Sequence, residues 1–502
     1  MRRVFGLLLC TAWMQTALAL PTADLVIRQA SVIDGTGQPA RLADIVINQG
    51  SIVAIGSELS RQWQSTHTID ATGMLATPGF IDLHAHGNLQ REVQFKNVLA
   101  MGVTTLVLGQ DGASPIIDDF AAWRDDILGR GLWPNVAMFV GHGSMRAHLG
   151  IEKDAPSAEQ MQAMEALLQH HLAFCFGMST GLEYVPGLFA QAEELERLAK
   201  VVGDHQGMIA SHLRNEDDEA LDASIDELLA QGRFAPVHIS HLKSVYGKGN
   251  ERAQQLLSKL YQAREAGIRV TADVYPYMAS YTGIAILFPD WAKTTADFAH
   301  AREHRRAELR DYLTRKVNSR NGPDATLLGT GEFKGKTLEK LALEHNRHFA
   351  DVLIDVIGPQ GAAGAYFVMD EALQYRLIQG EGVAISSDGS PGSYHPRGYG
   401  SFAKLIEILT LEKGLFSLPE AIYKVTGLPA SILGLTDRGL LKPGMAADLL
   451  LFEPTEVRAL ANYLDPHQLA MGFRYVLVNG EVTLHDGQFT RRGSGKILTP
   501  AR

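Results

Sequence analysis

The stretch GFIDLHAHGN, residues 79–88, sets His84 and His86 with one residue between them in a mostly apolar run. Side chains at i and i+2 of a strand point the same way, so both rings are aimed at one spot. A core face gains nothing from two imidazoles side by side, whereas two ligands to one metal ion explain the spacing. An isolated His-x-His also arises by chance. Its meaning therefore depends on what the rest of the chain sets around it.

Working outward, GFIDLHAH is the first of eight short apolar or β-branched runs, followed by VTTLVLG, NVAMFVG, AFCFGMST, QGMIASHL, APVHISHLK, RVTADVY and VAISSDG. Most are separated by helix-like stretches such as SAEQMQAMEALLQHHL, AQAEELERLAKVVGDH and the segment from Arg252 to Ala266. Strands alternating with helices imply βα units and a parallel sheet. Eight units imply an α/β fold of the (β/α)8 barrel type, here over residues 77–436. The gap between Tyr277 and Val383 is far longer than one unit and holds AHAREHRRAELRDYLTRKVNSR and KTLEKLALEHN. It predicts an insertion at about 280–350 over the barrel mouth, a lid or subdomain.

Both ends of the chain differ from this middle. ADLVIRQASVID, ADIVINQGSIVAIG and HTIDATGMLATP near the start, and MAADLLLFEP and YVLVNGEVTLHDGQ near the end, are alternating runs separated by Gly, Asn and Asp. They predict one small β-sandwich domain assembled from residues 21–76 and 437–502. The first twenty residues, MRRVFGLLLCTAWMQTALAL, carry two arginines, an apolar run and an Ala-Leu-Ala site, as a secretory signal peptide does. The expected location is therefore secreted, in the periplasm, with no membrane contact after signal removal. Cys10 lies in that segment, leaving Cys175 alone and no internal disulfide, which a chain of 502 residues with a large core tolerates.

A hydrophobic fraction of 46% with 20% charged residues fits an ordinary soluble globular protein. With a formal net charge of −10 and no long basic cluster, the chain has no phosphate-binding footprint, which argues against nucleic acid as a partner.

Ligand-type residues fall at the ends of the strand-like runs. His84 and His86 end the first, Glu183 follows the fourth, His212 ends the fifth, His241 the sixth and Asp388 the eighth. In a parallel barrel all strand C-termini open on one face, where active sites sit. His212 and His241 are 29 residues apart, about one βα unit, so adjacent strands bring them together. Four histidines and two carboxylates thus converge on one rim as a metal site suited to zinc.

With PGFIDLHAH, GVTTLVLG, GHGSMR, STGLEYVPG, SHLRNE, ISHLK, DVYPY, SSDGS with HPRGYGSF, and RGLLKPGMAADLLLFEP, the chain resembles the amidohydrolase superfamily. Within it, the resemblance is to the N-acyl-D-amino-acid deacylases, the D-aminoacylases. It implies a metal-dependent hydrolase acting on the amide bond of N-acyl-D-amino acids, with one or two Zn2+ ions. The metal ligands would be His84, His86, Glu183, His212 and His241, and Asp388 the general acid/base. Lys243, Tyr277 and Arg397 would bind the substrate's free carboxylate, Tyr275 being an alternative to Tyr277. Arg suits this because its planar fork pairs with a carboxylate bidentately. One departure stands out: where many D-aminoacylases carry a cysteine ligand in a stretch like GNCG, this chain has GQDG, with Asp111 at that place. Glu183 is the expected substitute ligand and Asp111 the alternative. His238 and Cys175 read as structural, and His142 either as a substrate contact or as a loop residue.

Three other readings compete. The same machinery could act on dipeptides with a D- or isoaspartyl residue, or on cyclic amides as the hydantoinases do. A non-catalytic scaffold would have lost these ligands, and all are present. A phosphoester hydrolase fits the fold but not a trio of carboxylate binders.

Overall fold

The computed structural model describes residues 20–490 and 493–501, so the leader-like segment, apart from Leu20, lies outside the described residues. The eight apolar runs form eight parallel strands: Phe80–Asp82, Val103–Leu108, Asn135–Met138, Gly177–Gly181, Met208–His212, Val237–Ile239, Val270–Val274 and Val383–Ile385. The first three pair in order. Val140–Gly141 continues the third strand and pairs with the fourth, and the fourth to eighth pair in order. Strands one and eight meet through a parallel bridge between Ala85 and Gly389. There the amide of His86 donates to Gly389 O and that of Asp388 to His84 O, both at 2.8 Å. The barrel is closed by the segments that carry its most polar residues.

These strands are continuous apolar runs because both of their faces are covered. The helices between them show a 3.6-residue apolar stripe. Ala158–Leu172 buries Met161, Met164, Leu168 and Leu172 and starts at a capping box in which Ser157 and Gln160 satisfy each other's backbone N–H. Phe80 links barrel to periphery: its ring stacks on Phe402 at 5.9 Å and meets Phe473 edge-on at 5.6 Å. A fully buried ring of this kind contributes about 2–3 kcal/mol of burial free energy.

Both termini enter one sheet of nine strands. Thr22–Val32, Arg41–Asn48, Ser51–Gly56, Gln64–Asp70 and Leu75–Pro78 come from the N-terminal side, and Leu449–Phe452, Phe473–Val478, Glu481–His485 and Gln488–Phe489 from the C-terminal side. The halves join where Leu75–Pro78 runs antiparallel to Leu449–Phe452. The expected sandwich partner strands are thus continuous members of a single hydrogen-bonded sheet, with Ile27, Ile45, Leu449 and Leu451 in one buried cluster.

Between barrel strands seven and eight sits a subdomain with its own core. Its three-stranded antiparallel sheet pairs Ala363–Tyr366 with Ser280–Gly283 and Thr326–Leu328. The charged run predicted as helical forms Thr295–His304 and Arg306–Ser319. Leu309, Leu313 and Val317 of the second helix pack with Leu338, Leu341 and Leu353. Among the described residues no helix is long and apolar enough to cross a membrane.

Candidate metal centre and active site

At the C-terminal rim of the barrel the rings and carboxylates meet. His84 Nε2 lies 3.4 Å from Asp111 Oδ1 and 3.6 Å from Asp388 Oδ1, and His86 Nε2 lies 3.1 Å from Asp388 Oδ1 and 3.5 Å from Asp111 Oδ2. His241 Nε2 lies 3.3 Å from Asp111 Oδ1 and 3.0 Å from His212 Nδ1. His84, Asp111, His241 and Asp388 bring ligand-type atoms within 4.8 Å of one another, and His212 and Glu216 form a second such group with His241. Asp111, His241 and Asp388 hold φ values of 54°, 38° and 48°, the left-handed region that non-glycine residues rarely enter. Such conformations cluster where surrounding structure forces a side chain into a site.

Behind each of three rings stands a second carboxylate on the opposite nitrogen. Asp273 Oδ2 is 3.7 Å from His84 Nδ1, Glu183 Oε2 is 3.1 Å from His212 Nε2, and Glu216 Oε1 is 3.2 Å from His241 Nδ1. A carboxylate on the far ring nitrogen fixes tautomer and orientation in metal-ligating histidines. Asp273 also accepts from His238 Nε2 at 2.8 Å and from the amide of His241 at 3.1 Å, so His238 is a structural partner of this layer. Asp82 anchors strand one to strand eight by accepting from Ser387 Oγ and from the amides of Ser387 and His84. Burial pushes its carboxyl up to about 7.

The electrostatics describe a site made for a cation. Burial opposes charge on His84, yet Asp111 and Asp273 outweigh it and raise the ring's pKa well above its ordinary value. Burial and Lys243 oppose charge on His241, yet Asp111, Asp388 and Glu216 raise its pKa to about 9. Burial alone would raise Asp388, but Arg397 and His241 hold its carboxyl well below the usual range. Both ring nitrogens of His84 and Oδ1 of Asp111 are buried without a hydrogen-bond partner among the described residues. Zinc bonds of about 2.0–2.1 Å in a tetrahedron put neighbouring ligand atoms about 3.3–3.4 Å apart, which matches the separations around Asp111. The residues fit a divalent metal ion.

A cavity of about 540 Å³ opens over this cluster, walled by Tyr184, Tyr275 and Tyr281 and by Ile286 and Arg320 of the inserted subdomain. Lys243 and Arg397 line it. Neither charge is free: Lys243 Nζ donates to Glu216 Oε1 at 2.6 Å, and an Arg397 terminal nitrogen lies 2.7 Å from Asp388 Oδ2. The Arg397 guanidinium also lies 4.8 Å from the Tyr275 ring centroid.

Three expectations need revision in place. Glu183, expected among the ligands, lies 3.1 Å from His212 Nε2, while Asp111, the alternative, groups with His84, His241 and Asp388. Tyr277, expected at the substrate carboxylate, is turned into the protein against His395 and Tyr463, with Lys404 Nζ 4.2 Å from its ring; Tyr275 lines the cavity instead. The reason is local. Tyr275 follows the strand directly, whereas Tyr277 lies beyond Pro276, where the alternation of a strand no longer applies. His142 is buried and paired with Glu194 at 2.7 Å, which Arg146 also binds, so it is a structural member of an ion network. Asp273 and Glu216 escaped the sequence reading because each sits inside a motif read for its neighbours, DVYPY and SHLRNE.

The sequence profile described as "Amidohydrolase family" matches residues 340–484. The chain is 33% identical over 487 residues to an N-acyl-D-glutamate deacylase of Alcaligenes xylosoxydans xylosoxydans, covering 91% of this chain and 93% of the relative. It is 30% identical over 505 residues to a D-aminoacylase of the same organism, covering 95% and 97%. Its fold matches the crystal structure of N-acyl-D-glutamate deacylase from Bordetella bronchiseptica, complexed with zinc and a phosphonate inhibitor that mimics the tetrahedral intermediate. That match has a TM-score of 0.83 at 30% identity and covers 95% of this chain and 100% of that one. A D-aminoacylase structure addressing the role of its binuclear metal centre matches with a TM-score of 0.81 at 30% identity over the same shares. Barrel, terminal sheet, histidine rim and full-length similarity agree: this chain belongs to the amidohydrolase superfamily, in its N-acyl-D-amino-acid deacylase (D-aminoacylase) family.

Proposed function

We propose that this chain hydrolyses the amide bond of N-acyl-D-amino acids to a carboxylate and a D-amino acid, with a divalent metal, zinc in the first instance. The carrying observation is the adjacency of the histidine–carboxylate cluster to Lys243, Tyr275 and Arg397 on one cavity wall. His84, His86, His212, His241 and a carboxylate of the cluster would hold the metal. When bound, the metal supplies Lewis acidity, polarising the scissile carbonyl and acidifying water.

The chain's own residues supply the rest. Asp388, held ionised by Arg397, accepts a proton at Oδ1 and returns it to the departing amine. Tyr275, Lys243 and Arg397 line the wall that receives the α-carboxylate of the substrate and so fix which C–N bond faces Asp388. Ile286 and Arg320 line the cavity from the subdomain side. The leader-like first twenty residues support export to the periplasm; sequencing the mature N-terminus tests this by placing it just after Ala19.

Zinc-loaded protein given paired N-acetyl-D- and N-acetyl-L-amino acids tests the reaction. D-selective turnover is the expected result. Inactivity on both with metal bound would overturn it in favour of dipeptides carrying a D- or isoaspartyl residue.

A further inference from the structure

Full metal sites are defined by their carboxylates as much as by their histidines, and here two carboxylates compete for one role. We propose that Asp111 is the shared metal-binding carboxylate of the cluster and that Glu183 is a positioning residue acting on His212. The cation site is then built from imidazole and carboxylate alone, with no sulfur ligand. This rests on the metal-hydrolase reading above.

The first argument is reach. Asp111 Oδ1 faces His84 Nε2 and His241 Nε2 at 3.4 and 3.3 Å, and its Oδ2 faces His86 Nε2 at 3.5 Å. One side chain thereby spans the pair from strand one and the ring from strand six. Among the described residues, the polar partner of Glu183 is the nitrogen of His212 that points away from His241. Glu216 also lies near His212 and His241, but Lys243 Nζ at 2.6 Å engages it.

The second argument is the backbone. The GQDG loop leaves strand two through left-handed φ values of 79° at Gly109, 54° at Asp111 and 75° at Gly112. A Cβ at Gly109 would meet Phe139 O at 2.1 Å and one at Gly112 would meet Gly181 N at 2.8 Å, so only glycine allows the loop to lie this close to strands three and four. Ser179 Oγ fastens it by donating to Gly109 O at 2.6 Å and accepting from Gly112 N at 3.1 Å. The loop is held so that its one long-reaching carboxylate enters the cluster. Its Oδ1 is buried there with no hydrogen-bond partner among the described residues.

The third argument concerns affinity. A hard carboxylate oxygen widens the choice of ion toward Mn2+ and Co2+, whereas a thiolate at the same place would favour softer ions. The positioning role of Glu183 predicts a smaller effect, on the order of 10–100-fold in metal affinity when its charge is removed.

Cobalt binding tests this without any substrate. Apo-protein of wild type, Asp111→Cys and Glu183→Cys is titrated with Co2+ alone, and bound metal and absorption are measured. The expected result is a thiolate-to-cobalt charge-transfer band in the near-ultraviolet for Asp111→Cys only. A band from Glu183→Cys, or cobalt bound to Asp111→Cys without a band, overturns the proposal. Should the cysteine variant fail to fold, Asp111→Asn and Glu183→Gln are compared by metal content after dialysis. Greater loss for Asp111→Asn supports the assignment, and equal or lesser loss overturns it. Absence of deacylase activity in the metal-loaded wild type, with the cobalt pattern intact, would instead count against the proposed substrate.

Discussion

Arg397 and Asp388 meet at 2.7 Å inside the cavity wall, both buried, while the other oxygen of Asp388 faces His86 Nε2 at 3.1 Å. A cation that merely bound substrate would have no such tie to Asp388, the proposed proton-transfer group. Arg397→Ala should therefore lower kcat as well as raise KM for free N-acyl-D-amino acids. With carboxamide-capped substrates the KM effect should vanish and the kcat loss remain. Steady-state kinetics on the two substrate series separates the roles, and an unchanged kcat would remove Arg397 from the support of Asp388.

Asp273 touches no substrate, yet it holds His84 from behind, His238 from the side and the His241 amide. Asp273→Asn should keep the fold and weaken metal affinity by about 10–100-fold. Competition with a chelator measures this directly, and an affinity equal to wild type would show that His84 is oriented by packing alone.

The two tyrosines of DVYPY should behave oppositely. Tyr275→Phe removes the hydroxyl that donates to Met369 Sδ at 3.8 Å, from a ring that lines the cavity and lies 4.8 Å from the Arg397 guanidinium, and should raise KM several-fold. Tyr277→Phe removes a buried hydroxyl with no partner among the described residues, so stability should hold or rise, by about 1 kcal/mol at most, with KM unmoved. Kinetics and urea melts on both variants check the pair.

Lys424 is buried and donates to Gly380 O and Val383 O, and burial pushes its pKa down to about 8 from an ordinary 10.5. Between those values the unfolded chain binds a proton that the folded chain does not, so the contribution of this group to stability should rise with pH from about 8 to 10.5. The gain from this group is about 3 kcal/mol. Lys424→Met should flatten the rise in denaturant melts across that window. Lys404, lowered to about 8 by burial, adds the same sign and should leave a residual slope.

What the sequence made legible follows from periodicity. Eight β-branched runs became eight strands because each needed both faces buried, and histidines at their ends reached one rim because parallel strands share a direction. What stayed hidden depended on loops. Glu183 and Asp111 both follow strand ends, and only the left-handed turn at Asp111 decides which one points inward. Tyr275 and Tyr277 differ by a proline whose effect on direction no alternation rule gives. Asp273 looked like any residue of a strand, since its partners come from strands one and six and lie far from it along the chain.

The seam between Leu75–Pro78 and Leu449–Phe452 carries a consequence for how the molecule is made. An N-terminal strand leaves the ribosome early and waits for its partner until nearly the whole chain has been synthesised. Meanwhile its edge offers unpaired backbone groups, the template on which other chains add strands. The N-terminal strands therefore lack this partner until the C-terminal strands are present, and until then the Leu75–Pro78 edge is open to pairing with other chains.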